Sequence, residues 1–470
     1  MSLGDERLGT LDTSGGRLFL HPAEVKGVFR RYRTYFHIFL LIIFLSIPWL
    51  KWNGLQLVLL DIQNRTFVIA GVLFKSHDAP LIFLLLAAGA IGLAVFTSIF
   101  GRVWCGWACP QTVFIDAIYR QIEIWVQGKY FARRKLQAQS LSFKKAYKLG
   151  LTWALFLLVS ILISHSFVAY FVGADRLLEM MRGSPEEHKT AFLFIVGMTS
   201  ILLFDFGWFR EQFCIIACPY GRIQSVLMDS KTTSVLYDEK RGEPRKGLAP
   251  MGSRGDCVNC RRCVEVCPTG IDIRRGIQME CIGCTACIDA CDDIMTKLKK
   301  PKGLIRYTSE FELENKIYLS WWDRLKKPRV LIYGALISIA LISFIFLLEH
   351  RLPVEITILR KTGAPYTEIS ATNGQKAIIN HITFHLHNQS MRPLRFTLNP
   401  SKKYDNVEFQ APMNGIELPA NSSQNFIFIV SFSKDLLNKN GNYNVSTVFQ
   451  VDGENTNFTV MKDITLVGPN

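Results

Sequence analysis

The chain has 470 residues, a formal net charge of +15 and a hydrophobic fraction of 49%. That length exceeds one ordinary domain, so several modules are expected. A basic surplus of this size in a soluble chain would point to nucleic acid. Here the basic residues crowd beside apolar runs, so no nucleic-acid partner is expected and a lipid bilayer explains them better. Residues Met1 to Lys26 are polar and lack an apolar core, so no secretory signal is expected.

Five segments come near the roughly 20 apolar residues that a helix needs to cross the hydrocarbon core. They are 35–52, 79–101, 149–173, 190–209 and 329–349. The expected division is a polar N-terminal segment (1–34), then four spans with two loops and an amphipathic helix (35–209). A large loop (210–328), a fifth span (329–349) and a C-terminal domain (350–470) follow. Lys26, Arg30, Arg31 and Arg33 precede the first span, and Arg133, Arg134, Lys135, Lys144, Lys145 and Lys148 follow the second. The loop 210–328 is also basic, whereas 53–78 and 174–189 are not. The positive-inside rule therefore predicts a cytoplasmic N-terminus and loop, with the C-terminal domain outside.

At the end of the second span stands "GRVWCGWACPQ" (101–111), and near the end of the fourth "QFCIIACPYGR" (212–222). Both are C-x3-C-P, giving Cys105, Cys109, Cys214 and Cys218. Residues i and i+4 of a helix share a face with Cβ atoms about 5–6 Å apart. A disulfide prefers about 3.8 Å, so a regular helix resists closing one. A soft metal such as Cu(I), or an iron–sulfur cluster, suits such thiols better. The proline turns Cys109 out of helical geometry and starts a new helix, whose N-terminus should favour the thiolate. Phe114, Ile118, Ile122 and Trp125 share one face of that helix, which predicts a helix lying on the cytoplasmic membrane surface. Space-filling by free cysteines is the plain alternative, but two identical motifs at equivalent ends favour one redox or metal site. Asp205, an acid late in the fourth span, is a further functional candidate. His37 and His165 are weaker candidates, as haem ligands.

The loop then carries "CVNCRRCVEVCPTG" and "CIGCTACIDACDD", each C-x2-C-x2-C-x3-C, the second starting 14 residues after the last cysteine of the first. In two-cluster ferredoxins the three closely spaced thiolates bind one [4Fe–4S] cluster and the fourth binds the other. The expected ligands are therefore Cys257, Cys260, Cys263 and Cys291 for one cluster. Cys281, Cys284, Cys287 and Cys267 serve the second. Zinc does not need this doubled three-plus-one run, and disulfides are disfavoured in a reducing compartment. Cys291 is followed by Asp292 where proline is usual. The module, at about 250–300, is expected to move single electrons.

Residues 350–470 show short alternating runs such as "INHITFHLHN" and "NYNVSTVFQV", which predict a small Ig-like β-sandwich. His381, His385 and His387 fall on the polar side of one strand, either a weak copper site or, as favoured here, a solvated face. The sequons at Asn388, Asn421, Asn444 and Asn457 are read as chance.

The blocks "GRVWCGWACPQTVF", "QFCIIACPYGRIQSVLMD", "YDEKRGEPRKG", "KGLIRYTSE" and the eight-cysteine run resemble the FixG/RdxA/CcoG family, the cytochrome c oxidase accessory polyferredoxins of bacterial inner membranes. The resemblance covers roughly residues 30–350. It implies an α-helical, multi-pass inner-membrane protein with a cytoplasmic ferredoxin module holding two [4Fe–4S] clusters. It also implies an oxidoreductase that reduces Cu(II) to Cu(I) for maturation of a cbb-type oxidase. Cys105, Cys109, Cys214 and Cys218 would then be the copper or electron-relay cysteines, with copper as substrate. A cytosolic electron donor, and copper chaperones or oxidase assembly factors, would be the partners. An electron conduit from quinol, and a non-catalytic copper carrier or scaffold, are the alternatives.

Overall fold

The structure, a computed structural model, describes residues 19–469 except 53, 76–77, 248–254, 353, 361–365, 371–375, 391, 401–406, 411–414, 421, 439–440 and 453–456. Most of the polar N-terminal segment and the sequon Asn421 lie outside the described residues. The chain forms two compact units, 1–346 and 347–470.

Among the described residues five helices are long and apolar enough to cross a membrane: Val28–Trp49, Ala79–Phe100, Phe143–Val172, Lys189–Phe209 and Pro328–Glu349, the last ending just inside the second unit. Three match the expected apolar runs to within a residue, and the third span begins six residues early, at Phe143. The first starts seven residues earlier than expected, because Arg30 and Arg33 lie inside the helix. Arg33 is only 4% exposed, neutralised by Asp116 of a distant segment. The lipid-facing character of the spans shows in bulky side chains left uncovered by protein, among them Ile42, Phe83, Leu193 and Ile342. Between the first two spans, Val58–Asp61, Thr66–Ile69 and Val72–Phe74 form a three-stranded antiparallel sheet. It packs at the far end of the third span, where Gln56 donates to the Ala169 carbonyl and accepts from the Ala174 N–H.

The chain from Pro110 to Gln127 is one helix, with a π-helical turn at Ile115–Tyr119. It does not lie on a surface with its charges outward. Asp116, Arg120 and Glu123 are buried and Trp125 is 79% exposed, so the expected surface helix is in fact an internal one. Buried ion pairs make the inversion possible: the side chains that should seek water find opposite charges inside.

The large loop folds into a compact module closed by the antiparallel pair Ser234–Tyr237 and Ile305–Thr308. Its core is Val235, Ile273, Ile288, Met295, Leu304 and Ile305, together with buried cysteines. The module docks on the start of the first span. Asp289 accepts the N–H groups of Phe29 (3.2 Å) and Arg30 (2.7 Å), capping that helix from 260 residues away. Gly27 is required there, since a Cβ would fall 2.1 Å from the Asp289 carboxyl carbon.

The second unit is a β-sandwich. One sheet runs in the order Val407–Gln410, Ser423–Ser433, Lys376–Asn388, Val354–Arg360, with Thr367–Ser370 also on Lys376–Asn388. The other runs Ile416–Leu418, Leu394–Pro400, Asn442–Asp452, Asn457–Val467. Phe384, Phe396, Phe428, Phe449 and Leu466 fill the core between them. His381 and His385 are half-buried, but His387 is only 4% exposed and bonds the Ser422 carbonyl, so the expected solvated face ends before it. Asn388 is fully buried and donates to three carbonyls.

Candidate redox centre and thiol site

The two C-x2-C-x2-C loops adopt the same backbone. Asn259 and Arg261 in the first, and Gly283 and Thr285 in the second, have left-handed φ of 55–66° on either side of the middle cysteine. These reversals bend each loop into an arc ahead of a helix, Arg262–Glu265 in one and Ala286–Lys297 in the other. Cys257, Cys260, Cys263 and Cys291 line one small cavity. Cys267, Cys281, Cys284 and Cys287, with Cys263 at the border, line another. The fourth cysteine of each run thus stands with the other run's three. Each thiol set is spread around its cavity, an arrangement that suits a polynuclear cluster. Burial raises Cys263, Cys267 and Cys291 to about 12 and Cys281 to about 11. Thiols packed this closely repel one another as thiolates, a cost that bound iron removes. Asp292, where proline was expected, lets the helix run on to Lys297 and accepts the Gly303 N–H (2.9 Å).

The two C-x3-C-P motifs are also built alike. The Cys109 N–H donates to the Trp104 carbonyl (2.9 Å) and the Cys218 N–H to that of Phe213 (2.8 Å), each five residues back. Each cysteine then leaves helical geometry and caps the helix begun by the proline. The four thiols come together: Cys105 and Cys214 each feel the charge of Cys109 and Cys218. Gln224, fully buried, sets its amide 3.2 Å (Nε2) and 3.4 Å (Oε1) from Cys105 Sγ. Burial pushes the Cys105 thiol up to about 11 despite that bond, and the Cys214 thiol also upward. Burial likewise raises Cys109, and the N–H groups of Gln111 and Thr112 at its helix end offset only part of this. The expected thiolate-favouring effect of the helix N-terminus is present but smaller than desolvation.

Thiol site and ferredoxin module touch. A Cβ on Gly106 would fall 2.7 Å from the Gly283 carbonyl, and one on Gly283 would fall 2.9 Å from the Arg102 carbonyl. Arg102 donates to the carbonyls of Cys281 (3.3 Å) and Gly221 (3.1 Å), joining both C-x3-C-P motifs to the second cluster loop. Trp107 Nε1 donates to Tyr307 Oη (3.1 Å), which donates to the Gly283 carbonyl (3.3 Å). A small cavity is lined by both Cys214 and Cys284. Cys105 feels Cys281 electrostatically.

Behind the thiols lies a buried ionic network. Asp116 accepts from Arg30, Arg33 (2.5 Å) and Arg120 (3.0 Å). Arg33 reaches the Cys284 carbonyl and Arg120 reaches Glu211. Glu123 accepts from Arg210 (2.5 Å) and Arg133 (3.3 Å). Of the other expected residues, Asp205 accepts from Gln111 (3.0 Å) and so belongs to the thiol site's frame. His37 sits 4.0 Å from Asp116, while His165 bonds its own helix at the Ile161 carbonyl. Gln224, Arg102, Gly106, Gly283 and Trp107 were not singled out in the sequence. Their only trace there is position: each lies within three residues of a motif cysteine or, for Gln224, six beyond one.

Residues 209–310 match a family model described as a 4Fe-4S dicluster domain, and residues 82–137 one described as a 4Fe-4S binding domain. The second match covers the Cys105–Cys109 motif. The chain is therefore a multi-pass membrane iron–sulfur protein of electron transfer. Residues 344–469 match the model described as the IG-like fold at the C-terminal of FixG. Protein RdxB of Cereibacter sphaeroides is 38% identical over 366 residues, covering 74% of this chain and 76% of RdxB. Protein RdxA of the same organism is 36% identical over 388 residues, covering 81% of each. Nitrogen fixation protein FixG of Rhizobium meliloti is 32% identical over 300 residues, covering 62% of this chain and 57% of FixG. The chain belongs to the FixG/RdxA family. A crystal structure of a FixG-related protein from Vibrio parahaemolyticus aligns with 25% of this chain and 97% of its own, at 14% identity and a TM-score of 0.20.

Proposed function

We propose that the protein reduces Cu(II) to Cu(I) in support of cbb-type cytochrome c oxidase maturation. Cys257, Cys260, Cys263 and Cys291 would hold one [4Fe–4S] cluster, and Cys281, Cys284, Cys287 and Cys267 the other. Bound there, the clusters supply single electrons. Copper is the substrate: each Cu(II) takes up one electron at Cys105, Cys109, Cys214 and Cys218 and leaves as Cu(I), the state soft sulfur donors hold and hand on. A copper chaperone or oxidase assembly factor would receive it, and a cytosolic protein would supply the electrons. The observation that carries this reading is the backbone contact between Gly106 and Gly283, which sets the thiol motif against the second cluster loop with no side chain between.

The same contacts support a reading of the sidedness. The start of the first span and the C-x3-C-P motifs after the second and fourth all meet the ferredoxin module, so they share one face of the membrane. We propose that this face is the cytoplasmic side of a bacterial inner membrane and that the β-sandwich is periplasmic, a reading that the basic surplus supports. Arg30, Arg33 and Arg133 belong to buried ion pairs, which leaves Lys135, Lys144 and Lys148 among those that carry the argument.

The test uses anaerobically purified protein reduced with dithionite and freed of excess reductant. Cu(II) is added while cluster absorbance and a Cu(I)-chelator signal are followed together. Cu(I) should appear as the clusters re-oxidise, one ion per electron lost, and a variant with all four membrane cysteines changed to Ser should be at least about tenfold slower. Clusters that stay reduced beside Cu(II) would refute the reductase reading. The quinol conduit has one observation in its favour, a largely apolar cavity lined by Phe100, Met228, Ile277, Met279 and Tyr307 that reaches Cys281. Cluster oxidation by quinone but not by Cu(II) would select it.

A further inference from the structure

A second large cavity opens on the other side of the second cluster loop. Its walls are the segment Pro22–Lys26, the start of the first span, the helix around Arg120, and the ferredoxin helices at Arg262 and Ala286–Lys297. Seven Lys or Arg side chains line it against three acids. One of those acids, Asp116, is already shared by Arg30, Arg33 and Arg120, and Arg120 also pairs with Glu211, so three guanidinium groups face two carboxylates and the floor keeps one positive charge in excess. Arg33 and Arg120 are more than nine-tenths buried there, and the Nε of each has no hydrogen-bond partner. The rim is water-accessible through Lys26, Lys129 and Lys297, the last in an exposed i,i+4 pair with Asp293 (2.6 Å) that a docking carboxylate can replace at little cost. At the floor, Cys284 and Pro268 form part of the wall.

We propose that this cleft is the docking site of an acidic, single-electron donor protein, which places a carboxylate-bearing segment between Lys26, Lys129 and Lys297 and delivers its electron on the Cys284 side. The inference rests on the reading that Cys284 holds the second cluster. A basic rim attracts an acidic partner and raises its association rate. Among the described residues no aromatic side chain lines the cavity to stack a flavin or nicotinamide ring, whereas the seven basic side chains suit an acidic protein surface. A cluster ligand in the floor gives the partner a redox purpose that a lipid headgroup lacks. The exchange balances as one electron lost by the donor and one gained by the protein, with no proton or bond transferred.

The experiment places the full protein, with its clusters, in discs of zwitterionic lipid. Reduced plant-type [2Fe–2S] ferredoxin, an acidic one-electron protein, is the probe. Its Kd is read by interferometry and its electron delivery by stopped-flow bleaching of the acceptor. Wild type should lose about tenfold or more in both between low salt and about 0.3 M salt. The triple charge reversal Lys26→Glu, Lys129→Glu, Lys297→Glu should lose as much at low salt, while the triple Lys→Arg variant stays within about twofold of wild type. Reduction by dithionite, which needs no docking, should be the same in all three. Unchanged ferredoxin binding in the charge-reversed variant overturns the proposal. So does a variant that binds ferredoxin normally but no longer retains phosphatidylglycerol, which would make the cleft a headgroup site. Weakened binding in a protein that dithionite cannot bleach supports the docking face and counts instead against the cluster assignment.

Discussion

Gly106→Ala is a sharp perturbation of the redox contact. The added Cβ would lie 2.7 Å from the backbone of Ile282 and Gly283, where ordinary contact begins near 3.4 Å, so the two segments must part by about 0.7 Å. The obstructing atoms are peptide carbonyls, which cannot rotate aside as a flexible side chain would. Overpacking of this kind costs about 1–3 kcal/mol, which shifts an equilibrium between docked and parted segments about 5- to 150-fold. Gly283→Ala adds a left-handed φ of 66° to a 2.9 Å approach to Arg102, at about 1–2 kcal/mol more. Gly150→Ala, with nothing within 4 Å, is the control. Hydrogen exchange at residues 281–284 should rise in Gly106→Ala, copper-dependent re-oxidation should slow, and cluster content by electron paramagnetic resonance should stay unchanged. A Gly106→Ala protein that re-oxidises with Cu(II) as fast as the Gly150→Ala control would refute the claim that this contact carries the electron.

Other outcomes follow from the same geometry. Asp116→Asn should lower stability by about 3–5 kcal/mol, because three guanidinium groups lose their buried counter-charge; a fall in Tm of the detergent-solubilised protein measures it. Burial raises the Asp116 carboxyl, but Arg33, Arg30 and Arg120 outweigh that and hold it well below the usual carboxylate range. Its contribution is therefore present above the unfolded value near pH 3.8 and lost only as pH falls through the lower folded value, so the Asn variant should lack that acid limb. Alkylation of Cys105 in cluster-free protein should accelerate as pH rises toward about 11, and Gln224→Leu, removing a bond that lowers the thiol, should slow it at any pH below that. Cys291→Ser should halve the iron content and spare one cluster signal, while retention of both signals would contradict the crossed ligand sets. Cys105→Ser/Cys109→Ser and Cys214→Ser/Cys218→Ser should be non-additive in copper reduction, the quadruple variant being little slower than either pair, as for one shared site.

The apolar runs marked the second, fourth and fifth spans nearly to the residue, and the third but for its basic first turns at 143–148, because a charge-free stretch of about 20 has few other uses. The start of the first span was hidden because Arg33 and its neutralising Asp116 are 83 residues apart, and no local pattern reports such a pairing. For the same reason the helix after Pro110 was read with its charged side toward water. Its periodicity was legible, but which face is inside depends on Arg30, Arg33 and Arg210, which lie in other segments. The arc formed by each run of three cysteines was legible in the spacing, and the structure sets the fourth of each run at the other run's cavity. The thiol pKa at Cys109 was not legible, since the helix end is a local feature and the depth of burial is not. Gly27, Gly106 and Gly283 looked like ordinary glycines, and only the opposing backbone shows why a side chain cannot stand there.

The thiol site is assembled from two copies of one structural unit set 109 residues apart. Gly101 and Arg210, each four residues before the first cysteine of a motif, share nearly the same backbone, at φ 57° and ψ −125° against φ 52° and ψ −128°. A left-handed turn suits glycine; at Arg210 it is held by two hydrogen bonds to Glu123 and one to the Gly207 carbonyl. The residue after each Cys-Pro then crosses to the opposite span. Gln111 donates to Asp205 of the fourth span and Tyr220 pairs with Thr97 of the second at 2.5 Å. These crossed bonds explain why a polar residue can stand late in each apolar span: both are partnered by the other copy. They also explain why the two cysteine pairs meet, since each copy is closed by the other. The first copy carries Gly106 where the second has Ile215, so the backbone-to-backbone approach to Gly283 belongs to the first copy, while the second meets the ferredoxin module across the small cavity between Cys214 and Cys284. In the proposed copper reduction, this asymmetry would make the Cys105–Cys109 side the entry face for electrons.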